Sequence, residues 1–340
     1  MFEKVRVGMC RASVVLASVS MVVGGCATDR QVISQATSAH DQLEPAVITD
    51  AQLSNYIQSV GQRVIEAARK SKLDQPNAKG DNEWMFSKDM QFHLVNSKTL
   101  NAFTTGGNHM YMYTALMQAC ETEDELAAVV SHEYAHVYCR HVQQGMNRQY
   151  AIIGGAAAAG AAGAALGYKE NKGEGALTYG AAGAGVGLLA GQFIGMGFTR
   201  NDELQADEYG FDFYVRAGWD PTHFSDFFQR MIDMGYDTTP AIASSHPTLK
   251  SRVEWAEKAV KKLPASAKTL RREPVADPAQ FAQLKARAAK LAASLPNDQS
   301  LAQAQELLAA FSICVAPVDQ PEQAAVKQKY IAAEKAGEKK

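Results

Sequence analysis

The sequence contains one short motif that could bind a metal and hydrolyse a bond. His132 and His136 stand four positions apart, and Glu133 directly follows the first of them. On a helix, residues i and i+4 project from the same face, so both imidazoles can bind one zinc ion. Glu133 is then placed to act as the general base that takes a proton from water. The motif predicts one Zn2+ per chain, with His132 and His136 as ligands and Glu133 as a catalytic residue.

A catalytic zinc needs a third protein ligand, and the sequence narrows the choice. A third histidine six positions after His136 would give the metzincin pattern, but that position is Val142. His141 would lie about 140° around a continuous helix from His136, which makes it a poor ligand. Glu203 and Asp207 share one face of a later predicted helix. We expect Glu203 to bind the zinc and Asp207 to orient a ligand imidazole.

Two residues further along the chain could take part in the same chemistry. His246, before Pro247, could donate to the oxyanion of the tetrahedral transition state, or could occupy the open zinc position and keep the enzyme latent. A structural histidine is the third possibility. Arg252 could steady this segment or a substrate carbonyl, and a surface salt bridge is the alternative. The sequence leaves these roles open.

The composition is that of an ordinary globular protein. The chain has 340 residues, of which 46% are hydrophobic and 21% are charged, and this is enough for one large domain with an appendage. The formal net charge is only -2, so no electrostatic field favours a nucleic acid as partner. We therefore expect no nucleic-acid binding.

The first residues are typical of an exported lipoprotein. Basic residues precede the mostly apolar run 12–23, which Cys26 follows closely, and the run is short for a membrane-spanning helix. We predict a signal peptide over residues 1–25, lipidation and membrane anchoring at Cys26, and a polar tether over residues 26–47. Ala27 after the cysteine resembles lipoproteins that are sorted to the outer membrane. The alternative is a plain signal peptide with an incidental cysteine.

Helical and extended patterns follow this segment and predict a mainly helical α+β fold. We expect helices over residues 50–70, 123–150, 201–216, from Pro221, 278–294 and 299–313, and strands over residues 90–96 and 109–113. The two strands imply a small sheet beside the helices. This organisation predicts one main domain over residues 48–262 and a helical C-terminal appendage over residues 263–340.

An Ala/Gly-rich segment interrupts the predicted main domain over residues 151–198. It contains glycines four positions apart, as at Gly187 and Gly191, and this spacing lets two helices approach closely. We expect a tightly packed helical insertion beside the cleft that governs access. Insertion into the membrane is the alternative, although Ala and Gly are weak inserting residues.

Three cysteines remain after the predicted lipid site. A continuous helix would separate Cys120 and Cys139 by roughly 20 Å, which is too far for a disulfide. Cys314 could bridge either of them. The absence of any bridge is equally compatible with the sequence.

Several separated motifs together resemble a known family. In chain order they are His132-Glu133-x-x-His136 with Arg140-His141 following, Glu203-x-x-Ala206-Asp207, and Ser245-His246-Pro247 with Arg252. This pattern resembles the HtpX and CAAX-prenyl-endopeptidase family of zinc peptidases, and most closely its periplasmic lipoprotein members. The resemblance covers about residues 48–260. It implies a gluzincin-type, mainly helical peptidase domain with a small β-sheet.

The segment before the predicted active-site helix also resembles that family. Asn101, Gly106 and Gly107 stand where the family has the strand that precedes the helix. A peptidase that cleaves unfolded chains can bind an extended backbone by adding it to an exposed strand edge. We therefore expect substrate binding at Asn101, Gly106 and Gly107, along the edge formed by residues 101–113.

The resemblance implies an endopeptidase of the bacterial envelope. Its substrates would be misfolded or stalled envelope proteins, and its place the periplasmic side of the outer membrane. The alternative is a largely latent protease that acts as a chaperone or assembly factor with the outer-membrane assembly machinery. A purely structural Gly-rich lipoprotein would not need three ordered metal ligands.

Overall fold

The computed structural model describes residues 27–74, 83–151, 198–236 and 247–311. Four features of the sequence analysis therefore lie outside the described residues. These are the lipidation site Cys26, the candidate catalytic His246, nearly all of the Ala/Gly-rich insertion, and the C-terminal tail with Cys314.

The described chain consists of ten α-helices, four short 3-10 helices and three strands. The helices are α1 Asp29–Leu43, α2 Ala51–Asp74, α3 Thr114–Ala119, α4 Glu123–Tyr138, α5 141–151, α6 Arg200–Ala217, α7 Asp226–Asp233, α8 Leu249–Lys262, α9 Pro278–Ser294 and α10 Gln299–Ala310. The strands are β1 Gln91–Val95, β2 Ala102–Thr104 and β3 His109–Tyr113, and the 3-10 helices are Glu44–Ala46, Glu83–Phe86, Pro221–His223 and Ala265–Leu270. The predicted mainly helical α+β fold with a small sheet is confirmed.

Helix α4 is the centre of the domain and packs against α2 and α6. Its start is fixed by Thr122, whose hydroxyl accepts from the backbone N–H of Glu125, and acidic side chains in the first turn favour the positive end of the helix dipole. Almost every α4 side chain is buried, on all faces of the helix. A helix buried all round is held rigidly by its neighbours, so residues on α4 are well placed to hold a precise site.

Helix α6 is delimited by a signal at each end. Thr199 and Asp202 form a capping box at its start, and Gly218 ends it with φ of 94°, a left-handed conformation that favours glycine. Residues 200–217 therefore form a helix close to the predicted range 201–216. Its contact with α4 brings Glu203 and Asp207 toward the histidines of α4.

The small sheet has the strand order β1-β3-β2. Strand β3 pairs with β1 in parallel and with β2 in antiparallel orientation. The prediction identified β1 and β3 but treated residues 101–113 as one edge segment. Strand β3 has a partner on each side, and the outer side of β1 is bridged to residues 46–48. Among the described strands, β2 is therefore the one whose outer side has no strand partner.

The predicted tether over residues 26–47 is wrong for most of its length. Thr28 and Gln31 form a capping box, and residues 29–43 make a regular helix, α1. The buried positions recur at helical spacing: Val32, Ala36, Ala39 and Leu43. Two of these four are alanines, whose weak hydrophobic signal hides the periodicity in a polar sequence.

The predicted continuous helix over residues 123–150 is also wrong, because it breaks after Tyr138. Arg140 has a φ of 57°, a left-handed conformation that costs a non-glycine residue about 1–2 kcal/mol. Two hydrogen bonds from its guanidinium to the carboxylate of Asp29, of 3.0 and 2.8 Å, stabilise the turn. The chain then restarts as α5 at residue 141.

The described part of the C-terminal appendage shares the core of the preceding domain. The buried carboxylate of Glu123 accepts hydrogen bonds from the backbone N–H groups of Val275 and Ala276, at 2.7 and 2.6 Å. The hydroxyl of Tyr113 donates to the carbonyl of Leu308 at 2.6 Å. Helices α9 and α10 match the predicted ranges closely, but they are integral to the fold.

Among the residues that the structure describes, none of the helices combines the length and the apolar character needed to cross a bilayer. Cys120 and Cys139 are both free thiols. Within the described residues, these two cysteines do not bridge each other.

Candidate metal centre

Three side chains from two helices converge in the core. His132 and His136 extend from α4 with their Nε2 atoms 3.1 Å apart. Glu203 extends from α6, with Oε2 3.4 Å from His132 Nε2 and Oε1 3.9 Å from His136 Nε2. Donors of a tetrahedral zinc ion lie about 3.3 Å from one another. The donor set and its spacing therefore fit one metal ion, with all three side chains fully buried.

The close contact between α4 and α6 depends on Gly210. A Cβ atom at this position would lie 3.0 Å from both the backbone nitrogen and the Cα of His132. Backbone atoms cannot move aside as a flexible side chain can, so any larger residue would push the helices apart. Gly210 thus allows Glu203, two turns earlier on α6, to reach the histidines.

A buried ion pair orients His132. Asp207 Oδ1 lies 2.9 Å from His132 Nδ1, and Arg252 donates to both carboxylate oxygens of Asp207, at 2.9 and 2.5 Å. A proton on Nδ1, donated to Asp207, leaves the Nε2 lone pair for a metal. Arg252 is only 4% exposed and lies 3.9 Å above the ring of Phe228. The predicted alternative of a surface salt bridge at Arg252 is therefore wrong.

The surroundings of the two α4 histidines shift their pKa values in opposite directions. Burial and the charge of Arg252 lower the pKa of His132, but hydrogen bonds to Asp207 and Glu203 outweigh them and raise it to about 9. Burial lowers the pKa of His136 well below its usual value. Burial raises the pKa of Asp207, but Arg252 and His132 reverse this shift and leave it below the usual value. The hydrogen bonds of His132 to two carboxylates therefore distinguish it from His136.

His141 is the residue of this site that the sequence analysis dismissed. Its Nδ1 lies 2.9 Å from His136 Nδ1, and its Nε2 lies 2.9 Å from the amide oxygen of Gln205. Because that oxygen only accepts, His141 carries its proton on Nε2 and accepts the Nδ1 proton of His136. The arrangement leaves His136 Nε2 free for a metal. The break at Arg140 makes this contact possible, and an angle calculated for a continuous helix could not reveal it.

Comparison with known proteins assigns the chain to a protein family. The profile of Peptidase family M48 matches residues 51–260. This range covers more than half of the chain and includes every residue of the metal centre. The chain belongs to peptidase family M48.

Individual relatives agree with this assignment. The chain is similar to the Beta-barrel assembly-enhancing protease of Escherichia coli K12, with 30% identity over 212 residues, 61% of this chain and 39% of that protein. It is 23% identical over 253 residues to Metalloprotease LoiP of the same strain, covering 72% of this chain and 94% of the relative. It is also similar to yeast mitochondrial metalloendopeptidase OMA1, with 25% identity over 223 residues, 61% of this chain and 57% of the relative.

The match has a clear limit and a clear implication. The chain spans about two fifths of the length of the assembly-enhancing protease, since 39% of that protein is covered. The predicted resemblance to a family of metallopeptidases is confirmed, and membership of the M48 family implies a metal cofactor. In this M48 domain, His132, His136 and Glu203 could hold that metal.

The predicted catalytic base, Glu133, is buried like the three side chains of the metal centre. Glu133 follows His132 on α4 and is 1% exposed. The ligands and the base thus lie together in a closed interior.

The predicted substrate edge is not exposed in this structure. Asn101 and all three residues of β2 are buried, and β3 lies in the centre of the sheet. A Cβ atom on Gly107 would lie 2.5 Å from that of Ala36 on α1, and one on Gly106 would lie 2.4 Å from Val142 on α5. The glycine turn therefore packs against two helices. Strand β2, which contacts α4, is the remaining candidate edge.

Proposed function

We propose that this chain is a zinc-dependent endopeptidase of the bacterial envelope that hydrolyses misfolded or stalled envelope proteins. The observation that carries the proposal is the convergence of His132, His136 and Glu203 within the distances of one tetrahedral ion. Two imidazoles and one carboxylate are the ligand set of a catalytic zinc, which keeps a fourth position open. A relative with 30% identity is named for enhancing β-barrel assembly. Its name supports the proposal that the substrates are outer-membrane proteins and that the chain acts with their assembly machinery.

The protein residues divide the chemical work between binding and proton transfer. The metal would be held by His132 Nε2, His136 Nε2 and the carboxylate of Glu203. Zinc bound there supplies Lewis acidity and makes water acidic enough to react near neutral pH. Glu133 takes a proton from the attacking water and later delivers it to the leaving amine. Asp207 and His141 accept the Nδ1 protons of His132 and His136 and so hold each imidazole in one tautomer. The Nε2 atom of each ring then stays available for the metal.

Substrate binding requires an extended backbone beside the metal centre. Among the described strands, β2 is the edge strand that contacts α4. A peptide that pairs with β2 would be held by backbone hydrogen bonds, which suits substrates of varied sequence. Asn101 stands directly before this strand and remains our candidate for a substrate contact.

A specific observation also favours the alternative function. The metal ligands are 0% exposed, Glu133 is 1% exposed, and β2 is buried. A site closed in this way cleaves only after an opening step. We therefore keep a largely latent protease that assists outer-membrane protein assembly as the second candidate, with His246 as a proposed catalytic or inhibitory residue.

A lipid anchor at Cys26 would place the domain directly at the membrane. Ala27 is 3% exposed, its backbone N–H donates to Asn147 at 2.5 Å, and its carbonyl accepts from Gln143 at 2.5 Å. No tether thus separates the proposed lipid from the fold. Membrane fractionation tests the anchor: Cys26→Ser should move the protein to the soluble fraction, and retention on the membrane would contradict lipidation at this site.

The activity is tested by zinc content and casein cleavage of the purified chain. Glu133→Gln should keep its zinc and lose cleavage by a factor of about 100 or more, as expected for a general base. Glu208→Gln, an exposed change on α6, serves as the matched control and should keep both. Equal activity of Glu133→Gln and the control would refute the proposed mechanism. Zinc without cleavage in all three proteins would favour the latent alternative.

A further inference from the structure

A second group of histidines lies outside the metal centre. His40 on α1, His93 on β1 and His109 on β3 meet where α1 covers the sheet. One ring nitrogen from each lies within 4.8 Å of the other two. In the part of the chain that the structure describes, two groups meet such a spacing: this trio, and the proposed catalytic cluster of His132, His136 and Glu203. We call the three residues the histidine trio.

Helix α1 and strands β1 and β3 each contribute one histidine to the trio. In the β1–β3 register His93 stands opposite Tyr111, two residues after His109, so the two histidines lie diagonally on one face of the sheet. Their nitrogens Nε2 of His93 and Nδ1 of His109 are 2.9 Å apart. The ring of His40 lies over both, with centroid distances of 4.5 and 4.3 Å. Three imidazoles from three elements thus share one small volume.

All three imidazoles are neutral at neutral pH, which is the form that can donate a lone pair to a metal. Burial lowers the pKa of His93 to about 3 and that of His109 to about 4, and the neighbouring rings add to both shifts. Burial also lowers the pKa of His40, against the opposing charges of Glu44 and Asp41. These two carboxylates place negative charge near the trio, which favours a cation.

We propose that His40, His93 and His109 form a second metal site, which binds a divalent transition ion of the Zn2+ or Cu2+ class and fastens α1 to the sheet. Imidazole nitrogens are the ligands that both ions accept readily. The ion would replace the hydrogen bond shared by His93 and His109. His40 and His93 are only partly buried, so water can fill a further coordination position. On binding, the donor atoms must contract from a spacing of up to 4.8 Å to about 3.3 Å. The stacked rings must also turn, so that their in-plane lone pairs point at one ion.

The helix fastened by this site also contacts the catalytic region. Asp29, in the first turn of α1, holds the Arg140 turn with two hydrogen bonds, and that turn positions His141 against His136. Metal bound at His40, near the other end of α1, would stabilise the docked helix because it binds only the folded arrangement. A metal at the trio would thus stabilise the packing of α1, the helix that supports the catalytic histidines through Asp29 and Arg140.

Metal counting on the purified full chain in detergent tests the proposal. After removal of metals with a chelator, the protein is loaded with Zn2+ or with Cu2+, dialysed and analysed for bound metal. The wild type should hold two equivalents and His93→Gln one. His223→Gln is the matched control, since His223 is exposed and paired with Asp226, and it should hold two. One equivalent or none in the wild type with both ions, or two in His93→Gln, would overturn the proposal.

A second measurement uses only the wild-type protein, so it does not depend on the folding of a variant. Histidine labelling with diethyl pyrocarbonate, mapped by mass spectrometry, should fall at His40 and His93 when metal is bound and stay constant at His223. Unchanged labelling of His40 with both ions would refute the site. Competition between the two ions then identifies the natural class: preferential retention of Zn2+ assigns a zinc site, and preferential retention of Cu2+ a copper site.

Discussion

The two histidine clusters of this protein differ in how far they are prepared for a metal. In the catalytic cluster, Glu203 adds a carboxylate to two imidazoles, and Asp207 and His141 hold the ring protons away from the ligand atoms. In the histidine trio, two nitrogens still share a hydrogen bond of 2.9 Å. The first cluster needs little rearrangement to bind an ion, whereas the second must contract. Preorganisation therefore predicts tight binding at the catalytic cluster and weaker, adjustable binding at the trio.

The largest effect should come from the carboxylate that only the catalytic cluster has. Glu203→Gln removes an anionic ligand and should weaken zinc binding there by more than about 100-fold, beyond the range typical of residues that only orient a ligand. Cleavage should be lost with the zinc. Competition with a chromophoric chelator measures the affinity, and Glu208→Gln on the same helix is the control. Unchanged affinity in Glu203→Gln would show that the metal does not depend on this carboxylate.

The next effect should come from the residue that orients His132. Asp207→Asn should weaken zinc binding by about 10–100-fold, because the Nδ1 proton loses its anionic acceptor. It also leaves Arg252 buried without a counter-charge, so unfolding free energy should fall by about 3–5 kcal/mol. Urea denaturation and zinc competition measure the two effects.

Asp212→Asn provides the comparison for this variant. Asp212 pairs with Arg216 on the same helix, with both side chains about one third exposed, and a partly exposed pair contributes little. Equal stability and equal zinc affinity of Asp207→Asn and Asp212→Asn would contradict the orienting role.

A smaller loss is expected from closing the space between α4 and α6. Gly210→Ala places a Cβ atom 3.0 Å from the backbone of His132, and such overpacking typically costs about 1–3 kcal/mol. The shift should also move Glu203 away from the histidines and reduce zinc affinity, while metal binding at the trio stays unchanged. Glu208→Ala, exposed on the same helix, controls for the effect of alanine. If Gly210→Ala matched Glu208→Ala in stability and in zinc affinity, the space between α4 and α6 would be large enough for a Cβ atom, contrary to this prediction.

The smallest effect concerns an ion pair whose residues belong to neither cluster. The hydrogen bond from Arg287 lowers the pKa of Asp50 to about 2 from its usual value near 3.8. A lowered carboxyl pKa stabilises the fold above the usual pKa, and the stabilisation disappears as the pH falls toward 2. The difference in Tm between the wild type and Arg287→Ala should therefore be small at pH 7 and vanish near pH 2. A difference that grows on acidification would contradict this assignment.

The catalytic cluster was largely predictable because its spacing is local. His132, Glu133 and His136 are fixed by one helix, and Glu203 with Asp207 by one turn of another. The family resemblance pointed to the same residues. His141 was set aside as a metal ligand, and the group that could hold a metal does not include it. Its contact with His136 was not foreseen, because the calculation assumed an unbroken helix and a left-handed arginine gives no signal in a single sequence.

The histidine trio was not predictable from sequence at all. His40, His93 and His109 belong to three elements, and only the packing of α1 on the sheet brings them together. Helix α1 itself was mistaken for a tether, since its buried face contains Ala36 and Ala39 in place of larger apolar residues. Sites assembled by tertiary packing leave no motif, whereas sites built on one helix do.

The most direct test of the central claim is a crystal structure of the zinc-loaded protein, with anomalous data collected at the zinc absorption edge. The account predicts an anomalous peak within bonding distance of His132 Nε2, His136 Nε2 and a Glu203 oxygen, whether or not a second peak appears at the histidine trio. The absence of a peak between these three side chains in zinc-loaded crystals would contradict the proposed catalytic centre.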